Sequence, residues 1–375
     1  MSNSVGFVPN HDEASRQAFV GGLKGYINFA LEGQLQRLFD EKLVPEQEAK
    51  APGSVTSRAD GEALLVDHPL YNLWETLTFH SQNQMWDSVA DTADRTMDNQ
   101  IAAFEYILAN PRTDGTLKLQ DSLVVKAPIA TTEIHRQPGG YWRETRPHDL
   151  AAGLNYAGTV DLYRNAKGMG TGGKVGSDSL GQLLAGVAKK YAPDLEPKAI
   201  LDMGCGTGEQ TLAYKRVFPG AKVTGIDCAR PLLRYAHGYA QSEGVAIDFA
   251  EMDAGQTDFA DGSFDLIVSI IMFHETTQAQ VRDILRESWR LVRPGGLVLH
   301  LDVPYQPNRM PLFKQVTNHW QVRNNGEPFW TGFAEMDMKD ELAAAGLDPG
   351  ATFANYEAAG PATFYFFGGR KDVSS

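Results

Sequence analysis

Three glycines at alternate positions, Gly204, Gly206 and Gly208, mark the stretch of the chain best suited to chemistry. An apolar run at 199–203 precedes them and helix-forming residues follow at 209–218, so the pattern predicts a strand, a tight turn and a helix. Glycine permits positive φ and lets the main chain approach a ligand, while a helix start offers free N–H groups. We interpret the stretch as a nucleotide-binding turn.

An acidic residue and a missing glycine narrow the class of nucleotide. Asp227 ends the next predicted strand, 222–227, at the distance where an acid accepts hydrogen bonds from ribose hydroxyls. A dinucleotide-binding turn requires a further glycine where this chain has Glu209. A glutamate at a helix start repels a pyrophosphate but tolerates a sulfonium cofactor that carries no phosphate.

The same residues resemble a known family. The pattern of Asp202 followed by the three glycines resembles the first motif of the class I S-adenosylmethionine-dependent methyltransferases. Three later stretches match the same family's pattern, namely 251–254 after the third strand, 264–275 along and beyond the fourth strand, and 293–296 before the fifth. The resemblance covers residues 177–370 and implies S-adenosylmethionine as the cofactor.

The resemblance also implies which residues contact this cofactor. Asp227 would hold the ribose, Asp253 and Ala254 the adenine, and 270–272 the methionine part. The full set of expected cofactor-binding residues is Asp202, Gly204, Cys205, Gly206, Gly208, Asp227, Cys228, Asp253, Ala254 and Ile270. Two alternatives stay open, since small buried thiols explain the two cysteines better than cofactor contacts do, and Asp253 could instead cap the next turn.

Candidate catalytic residues follow the fourth predicted strand, because ligands of open α/β sheets bind at the carboxyl ends of the strands. His274 titrates near neutrality and is a candidate base, and Glu275 is either a second base or the group that orients His274. Structural roles for both residues stay open. The expected substrate-binding residues are His135, Tyr156, His300 and Trp330. No ligand spacing requires a metal ion, so we expect none.

The elements that position these residues form two parts. Strands and helices alternate regularly from residue 177, which predicts an α/β fold with a doubly wound, seven-stranded sheet and a C-terminal antiparallel hairpin. Residues 1–150 have helical periodicity and predict a mainly helical lid or dimerisation domain, joined through a connecting segment at 151–176. An insertion at about 304–340 is expected either to face the substrate or to pack on the N-terminal helices.

The amino-acid composition restricts the kinds of molecule that the protein is expected to bind. Among 375 residues, 47 acids outnumber 34 bases, giving a formal charge of −13, which argues against nucleic acid and favours a small-molecule substrate. No apolar run approaches the roughly 18 residues of a membrane span and no targeting pattern opens the chain, so we expect a cytoplasmic protein that does not bind membranes. A homodimer through the N-terminal helices is also expected.

These observations predict a methyltransferase that acts on an oxygen or nitrogen atom of a small metabolite. Three alternatives remain at the level of sequence. One is a nicotinamide-dependent oxidoreductase, against which Glu209 and the terminal hairpin argue. The second is a non-catalytic protein that only binds the cofactor, and the third is an enzyme that keeps the cofactor but has changed its chemistry.

Overall fold

The computed structural model describes residues 3–120, 123–125, 128–166, 178–303, 309–359 and 362–373. Within them the chain forms one eight-stranded sheet in the order β1-β4-β3-β2-β5-β6-β8-β7. The strands are β1 Leu117–Lys118, β2 Ala199–Met203, β3 Lys222–Asp227, β4 Asp248–Glu251, β5 Phe264–Ile270, β6 Val292–Asp302, β7 Thr352–Ala359 and β8 Ala362–Arg370. The pairs from β1 to β6 are parallel, whereas β8 is antiparallel to both β6 and β7.

The α/β class and the C-terminal hairpin are confirmed, and the strand count is corrected from seven to eight. The additional strand, β1, belongs to the N-terminal region and pairs with β4 through Leu117 and Phe249. Two residues are too short a run to show a sequence pattern. Residues 123–125 have no regular secondary structure, and Val124 is 81% exposed.

The N-terminal region begins with a long, nearly continuous helical run. It consists of α1 His11–Gly25, a π-helical turn at Tyr26–Leu31, α2 Glu32–Leu38, a second π-helical turn at Phe39–Leu43, and α3 Val44–Lys50. Residues 51–57 separate α3 from α4 Arg58–Leu65. The predicted apolar stripe is buried at Ile27, Leu31 and Leu35, whereas Phe19 is exposed.

One long helix, α5 Pro69–Ala109, carries most of the remaining N-terminal packing, and α6 Ala151–Ala166 follows it. Met97, Phe104 and Ile107 of α5 share an apolar cluster with Leu154 of α6 and Tyr235. The connecting segment predicted at 151–176 is therefore helical up to 166, and its glycine-rich part lies outside the described residues. None of the helices in the described ranges combines the length and apolar character needed to cross a membrane.

The helices around the sheet are α7 Ser179–Tyr191, α8 Thr211–Val217, α9 Arg230–Ser242 and α10 Gln278–Leu291. The insertion contains α11 Leu312–Asn324 and α12 Trp330–Ala334, and α13 Met338–Ala344 precedes the hairpin. Helix α11 packs on the N-terminal helices, with the ring centroids of Trp320 and Trp74 5.2 Å apart. The packing role that we weighed for the insertion is thus observed.

Glu13 joins α1 to α5 through a buried carboxylate, and it generates a prediction about stability. The carboxylate accepts hydrogen bonds from Asn10 N, Thr92 Oγ1 and Arg95, although the residue is only 4% exposed. The bonds from Arg95 lower the pKa of Glu13 to about 2, against the opposing effect of burial. We expect Glu13→Gln to lower the free energy of unfolding by about 2 kcal/mol at pH 7, because hydrogen bonds to a charged group are lost.

The difference in free energy of unfolding between the unaltered protein and Glu13→Gln should decrease as the pH falls. Because the folded pKa of Glu13 lies below its ordinary value of 4.5, its contribution is complete above pH 4.5 and fades as the pH falls towards 2. Urea unfolding at both ends of this range measures it. Asp12→Asn is the control, since this neighbouring side chain is 94% exposed. Equal losses in the two variants would contradict the role of Glu13.

Candidate functional site

The glycine turn has the backbone that its sequence predicts. Gly204, Gly206 and Gly208 have φ values of 69°, 53° and 74°, in the left-handed region that favours glycine. A Cβ at Gly206 would have only Tyr156 Cε1 within 4 Å, at 3.9 Å, so open space lies over this residue. The turn therefore presents main chain directly to a cavity, as close binding of a cofactor requires.

Asp227 stands beside this turn at the carboxyl end of β3. Its carboxylate accepts hydrogen bonds from Gly206 N and Ala229 N, each 2.9 Å long, which fix it at the edge of the cavity. Burial raises the pKa of Asp227 to about 6, against the effect of these bonds. An acceptor in this position suits ribose hydroxyls, so the observed main chain and acid fit a nucleoside cofactor.

The cavity brings together most of the predicted cofactor-binding residues. Its wall contains Gly204, Gly206, Asp227, Cys228, Asp253, Ala254 and Ile270. Side chains from 129–156 and from 272–284 also line it, namely Ile129, Ile134, Tyr141, Trp142, Tyr156, Met272, Glu275, Thr276, Gln280 and Ile284. Contact between the first set and the cofactor stays a prediction, but the geometry gives these residues a common ligand space.

Three other predicted cofactor-binding residues, Asp202, Cys205 and Gly208, are not among the residues that line the cavity. Asp202 is 2% exposed and accepts a hydrogen bond of 2.6 Å from Thr211 Oγ1, which connects β2 to the start of α8. Burial raises the pKa of Asp202 to about 7. Cys205 packs in the sheet core, and a Cβ at Gly208 would lie 2.9 Å from Ala236 Cβ. These contacts shape the turn, and direct contact of the three residues with a cofactor stays a prediction.

The two candidate bases occupy a short 3-10 turn, Phe273–Glu275, that follows β5. Asp302 at the end of β6 holds this turn, because its carboxylate accepts hydrogen bonds from Phe273 N at 2.8 Å and from His274 Nδ1 at 2.7 Å. His274 is 1% exposed and its other ring nitrogen, Nε2, is 3.7 Å from Glu327 Oε2. Of the two candidates, only Glu275 belongs to the cavity wall.

His135 from the N-terminal region binds to this turn rather than standing in the cavity wall. Its Nε2 lies 2.8 Å from Glu275 Oε1 and its Nδ1 lies 2.5 Å from Glu327 Oε1. Burial alone would lower the pKa of His135, but Glu327 and Glu275 outweigh it and raise the pKa to about 10. Tyr141 also donates a hydrogen bond of 3.2 Å to Glu275 Oε1.

His300 and Trp330 do not line the cavity as substrate-binding residues would. His300 is fully buried, its ring centroid is 4.7 Å from that of Phe273, and its Nδ1 is 2.8 Å from Ser269 Oγ. Burial lowers the pKa of His300 to about 3, so the ring is neutral. Trp330 packs against His274, with ring centroids 5.2 Å apart. Of the four predicted substrate contacts, Tyr156 alone is in the wall.

Sequence reasoning missed Glu327, which contacts His135 and approaches His274. Two other acids of the insertion, Glu335 and Asp337, are exposed, and Asp337 caps α13. The neighbouring Gly326 has a φ of 71°, and a Cβ there would lie 2.8 Å from Arg136 N, so glycine permits this close approach. Asp302, expected to reach the pocket, supports His274 instead.

Comparison with known proteins supports the assignment of this region. Residues 200–296 match a family model described as a methyltransferase domain. The demethylmenaquinone methyltransferase of Thermus thermophilus is 39% identical over 120 residues, which cover 32% of this chain and 54% of that protein. The tRNA N(3)-methylcytidine methyltransferase Mettl2 of Drosophila melanogaster is 26% identical over 162 residues, which cover 41% of this chain and 50% of that protein.

A solved structure is also similar. Phosphoethanolamine N-methyltransferase 2 of Haemonchus contortus, in complex with phosphomonomethylethanolamine and S-adenosylhomocysteine, is 15% identical with a TM-score of 0.41, over 54% of this chain and 53% of that chain. The chain thus spans about half the length of the curated relatives it matches. The match with the family model includes the glycine turn, Asp227 and the turn after β5. Residues 200–296 therefore match a methyltransferase domain, and the curated relatives reported above are methyltransferases.

Proposed function

We propose that this protein transfers a methyl group from S-adenosylmethionine to an oxygen or nitrogen atom of a small molecule. The observation that carries the proposal is the single cavity in which the glycine turn, Asp227 and Glu275 meet side chains of the N-terminal region. The cofactor supplies a methyl group that is already activated on a sulfonium. The protein then mainly aligns the acceptor with it, which is a large contribution to catalysis.

The wall of the cavity supports a small and planar acceptor. Tyr141, Trp142 and Tyr156 offer aromatic surface in the cavity wall, and Glu275 contributes a carboxylate to the same wall. Aromatic surface with few polar groups is typical of a site for small molecules. The similarity to a demethylmenaquinone methyltransferase supports an acceptor of this kind.

Charge opposes a nucleic acid acceptor, although one relative is named as a tRNA methyltransferase. The acids Asp227, Asp253 and Glu275 line the cavity, and the whole chain carries a formal charge of −13. A polyanion would normally be bound by clustered lysines and arginines. The similarity to that relative covers 41% of this chain at 26% identity and does not by itself indicate a shared acceptor.

Transfer of label tests the class of acceptor directly. The purified protein is incubated with methyl-labelled S-adenosylmethionine and a cell extract, and the small-molecule and macromolecular fractions are counted separately. We expect label in a small compound, which mass spectrometry then identifies. Label in RNA or protein would contradict the proposal, and label in neither fraction, together with tight cofactor binding, would favour a protein that only binds the cofactor.

Asp227→Asn tests the assignment of the cofactor site. The variant keeps the shape of the side chain but removes the charged acceptor, so we expect S-adenosylmethionine to bind about 10- to 100-fold more weakly, as for hydrogen bonds to a charged group. Calorimetric titration measures the affinity. Asp261→Asn is the control, since this acid is 81% exposed and pairs with Arg290. NAD serves as a second ligand, and tight NAD binding would favour an oxidoreductase.

Glu275→Gln tests the proposed base. His135 and Tyr141 hold Oε1 of Glu275, which leaves Oε2 for the proton of the acceptor, whereas His274 acts by positioning the turn. We expect the variant to lower kcat about 100-fold with little change in affinity for S-adenosylmethionine, the usual loss when a general base is removed. Glu335→Gln changes an exposed acid and should keep the activity. Unchanged kcat in the Glu275 variant would contradict the role.

A further inference from the structure

Three side chains at the edge of the cavity bring atoms that could bind a metal ion close together. One nitrogen each of His135 and His274 and one oxygen of Glu275 lie within 4.8 Å of one another. His274 and Glu275 come from the turn after β5, whereas His135 comes from the N-terminal region, 139 and 140 positions earlier in the chain. We propose that these three side chains bind one divalent transition-metal ion, in contrast to the metal-free site expected from sequence.

Both imidazoles are oriented as metal-binding histidines usually are. A histidine ligand commonly donates its second ring N–H to a carboxylate, which fixes the ring and the tautomer. Asp302 Oδ1 accepts from His274 Nδ1 at 2.7 Å, and Glu327 Oε1 lies 2.5 Å from His135 Nδ1. Each ring is therefore held by Nδ1, and Nε2 is the nitrogen directed to the site. His135 Nε2 lies 2.8 Å from Glu275 Oε1.

The backbone around His135 is held in an unusual conformation to place this ring. His135 and Arg136 have φ values of 56° and 62°, a region that costs energy for residues other than glycine. Helix α5 fixes the carbonyl of His135, which accepts hydrogen bonds from Gln82 Nε2 and Trp86 Nε1 at 3.0 and 2.8 Å. His135 N donates to Gly326 O at 2.9 Å. Such strain persists only where the surroundings impose it, typically at functional sites.

Charge balance favours a cation at this place. The carboxylates of Asp302, Glu275 and Glu327 surround the two imidazoles, and the side chains of His274 and Glu327 are only 1% and 7% exposed. These five groups carry a net negative charge even when both imidazoles are protonated. Charges withdrawn from water are stable only when they are paired or bind a metal, and a divalent cation at the Nε2 atoms would balance the group.

The ligand set selects the class of metal. Mg²⁺ and Ca²⁺ prefer oxygen ligands alone, whereas imidazole nitrogen suits zinc, iron, cobalt, nickel and copper. Two histidines and one carboxylate are the protein ligands of many catalytic zinc sites and of non-haem iron sites, and they leave coordination positions open. Glu275 belongs to the cavity wall, so an open position can face the cavity.

This arrangement narrows the acceptor, an extension that rests on the proposed function. An ion bound to Glu275 Oε1 leaves Oε2 free and can bind an oxygen atom of the acceptor, such as a phenol hydroxyl, a carboxylate or a carbonyl group. A metal ion lowers the pKa of a bound hydroxyl and orients it. The acceptor should therefore carry an oxygen donor next to the atom that is methylated, or be methylated on that oxygen.

Metal binding tests the site without an assay of activity. The full-length protein is treated with a chelator and titrated with Co²⁺, followed by visible absorption, and with Zn²⁺, followed by calorimetry. We expect one equivalent of each ion to bind and Mg²⁺ to bind far more weakly. No stoichiometric binding of Co²⁺ or Zn²⁺, or equal affinity for Mg²⁺, would overturn the proposal.

Substitutions at the proposed metal-binding side chains test which of them bind the ion. His135→Gln and Glu275→Gln should each weaken Co²⁺ binding at least tenfold and alter its spectrum, and Asp302→Asn should weaken it about 10- to 100-fold by releasing His274. His148→Gln is the control, because the side chain of His148 is 42% exposed and pairs with Glu105. The affinity of this variant for Co²⁺ should match that of the unaltered protein. Circular dichroism verifies folding. Unchanged affinity in both ligand variants would overturn the site.

Methyl transfer, measured on the same samples as metal binding, separates this inference from the proposed function. Protein that transfers methyl groups after chelation and binds no Co²⁺ overturns the metal site alone. Protein that binds one Co²⁺ through His135 and Glu275 but transfers no methyl group to any small molecule supports the metal site and contradicts the proposed function.

Discussion

The parallel pairing of β5 with β6 is the constraint on which the site depends. Ile270 and Leu301 are partners in this pairing, so the residues that follow β5 meet the end of β6. Asp302 there accepts hydrogen bonds from the main chain and the ring of the turn that carries His274 and Glu275. This buried carboxylate thereby determines that Glu275 faces the cavity while His274 remains beneath it. Ile271, between strand and turn, has a φ of 56°, which is unusual for a β-branched residue and shows how tightly the turn is held.

The N-terminal region is part of the site and not only a cover for it. It supplies His135 and Tyr141, which contact Glu275, and Tyr156, which faces the glycine turn. Gln82 and Trp86 of the long helix α5 donate hydrogen bonds to the His135 carbonyl. Strand β1 joins the same region to the sheet by pairing with β4. Displacement of these helices would therefore remove one wall of the cavity.

The insertion completes the same assembly from the other direction. Helix α11 packs on the N-terminal helices through Trp320, and the following residues place Glu327 against His135. Gly326 permits this approach, since a Cβ there would lie 2.8 Å from Arg136 N. Three separate segments thus meet around a few charged groups that are mostly withdrawn from water. Contacts between the segments pair these charged groups and so offset the free-energy cost of removing them from water. No single segment could provide these partners.

Local patterns in the sequence determined the class of fold, the glycine turn and the acid at the end of β3. Those features depend on residues close together in the chain, such as Gly206 and Asp227, and on strand and helix periods that repeat locally. The eighth strand, the burial of Asp202 and His300, and the joining of His135, Glu275 and Glu327 were decided only by the tertiary structure. These contacts join residues up to 192 positions apart, and no local period records which side chain will face a cavity and which will face the core. Packing decides that, because each buried charge must find its partner wherever in the chain the partner lies.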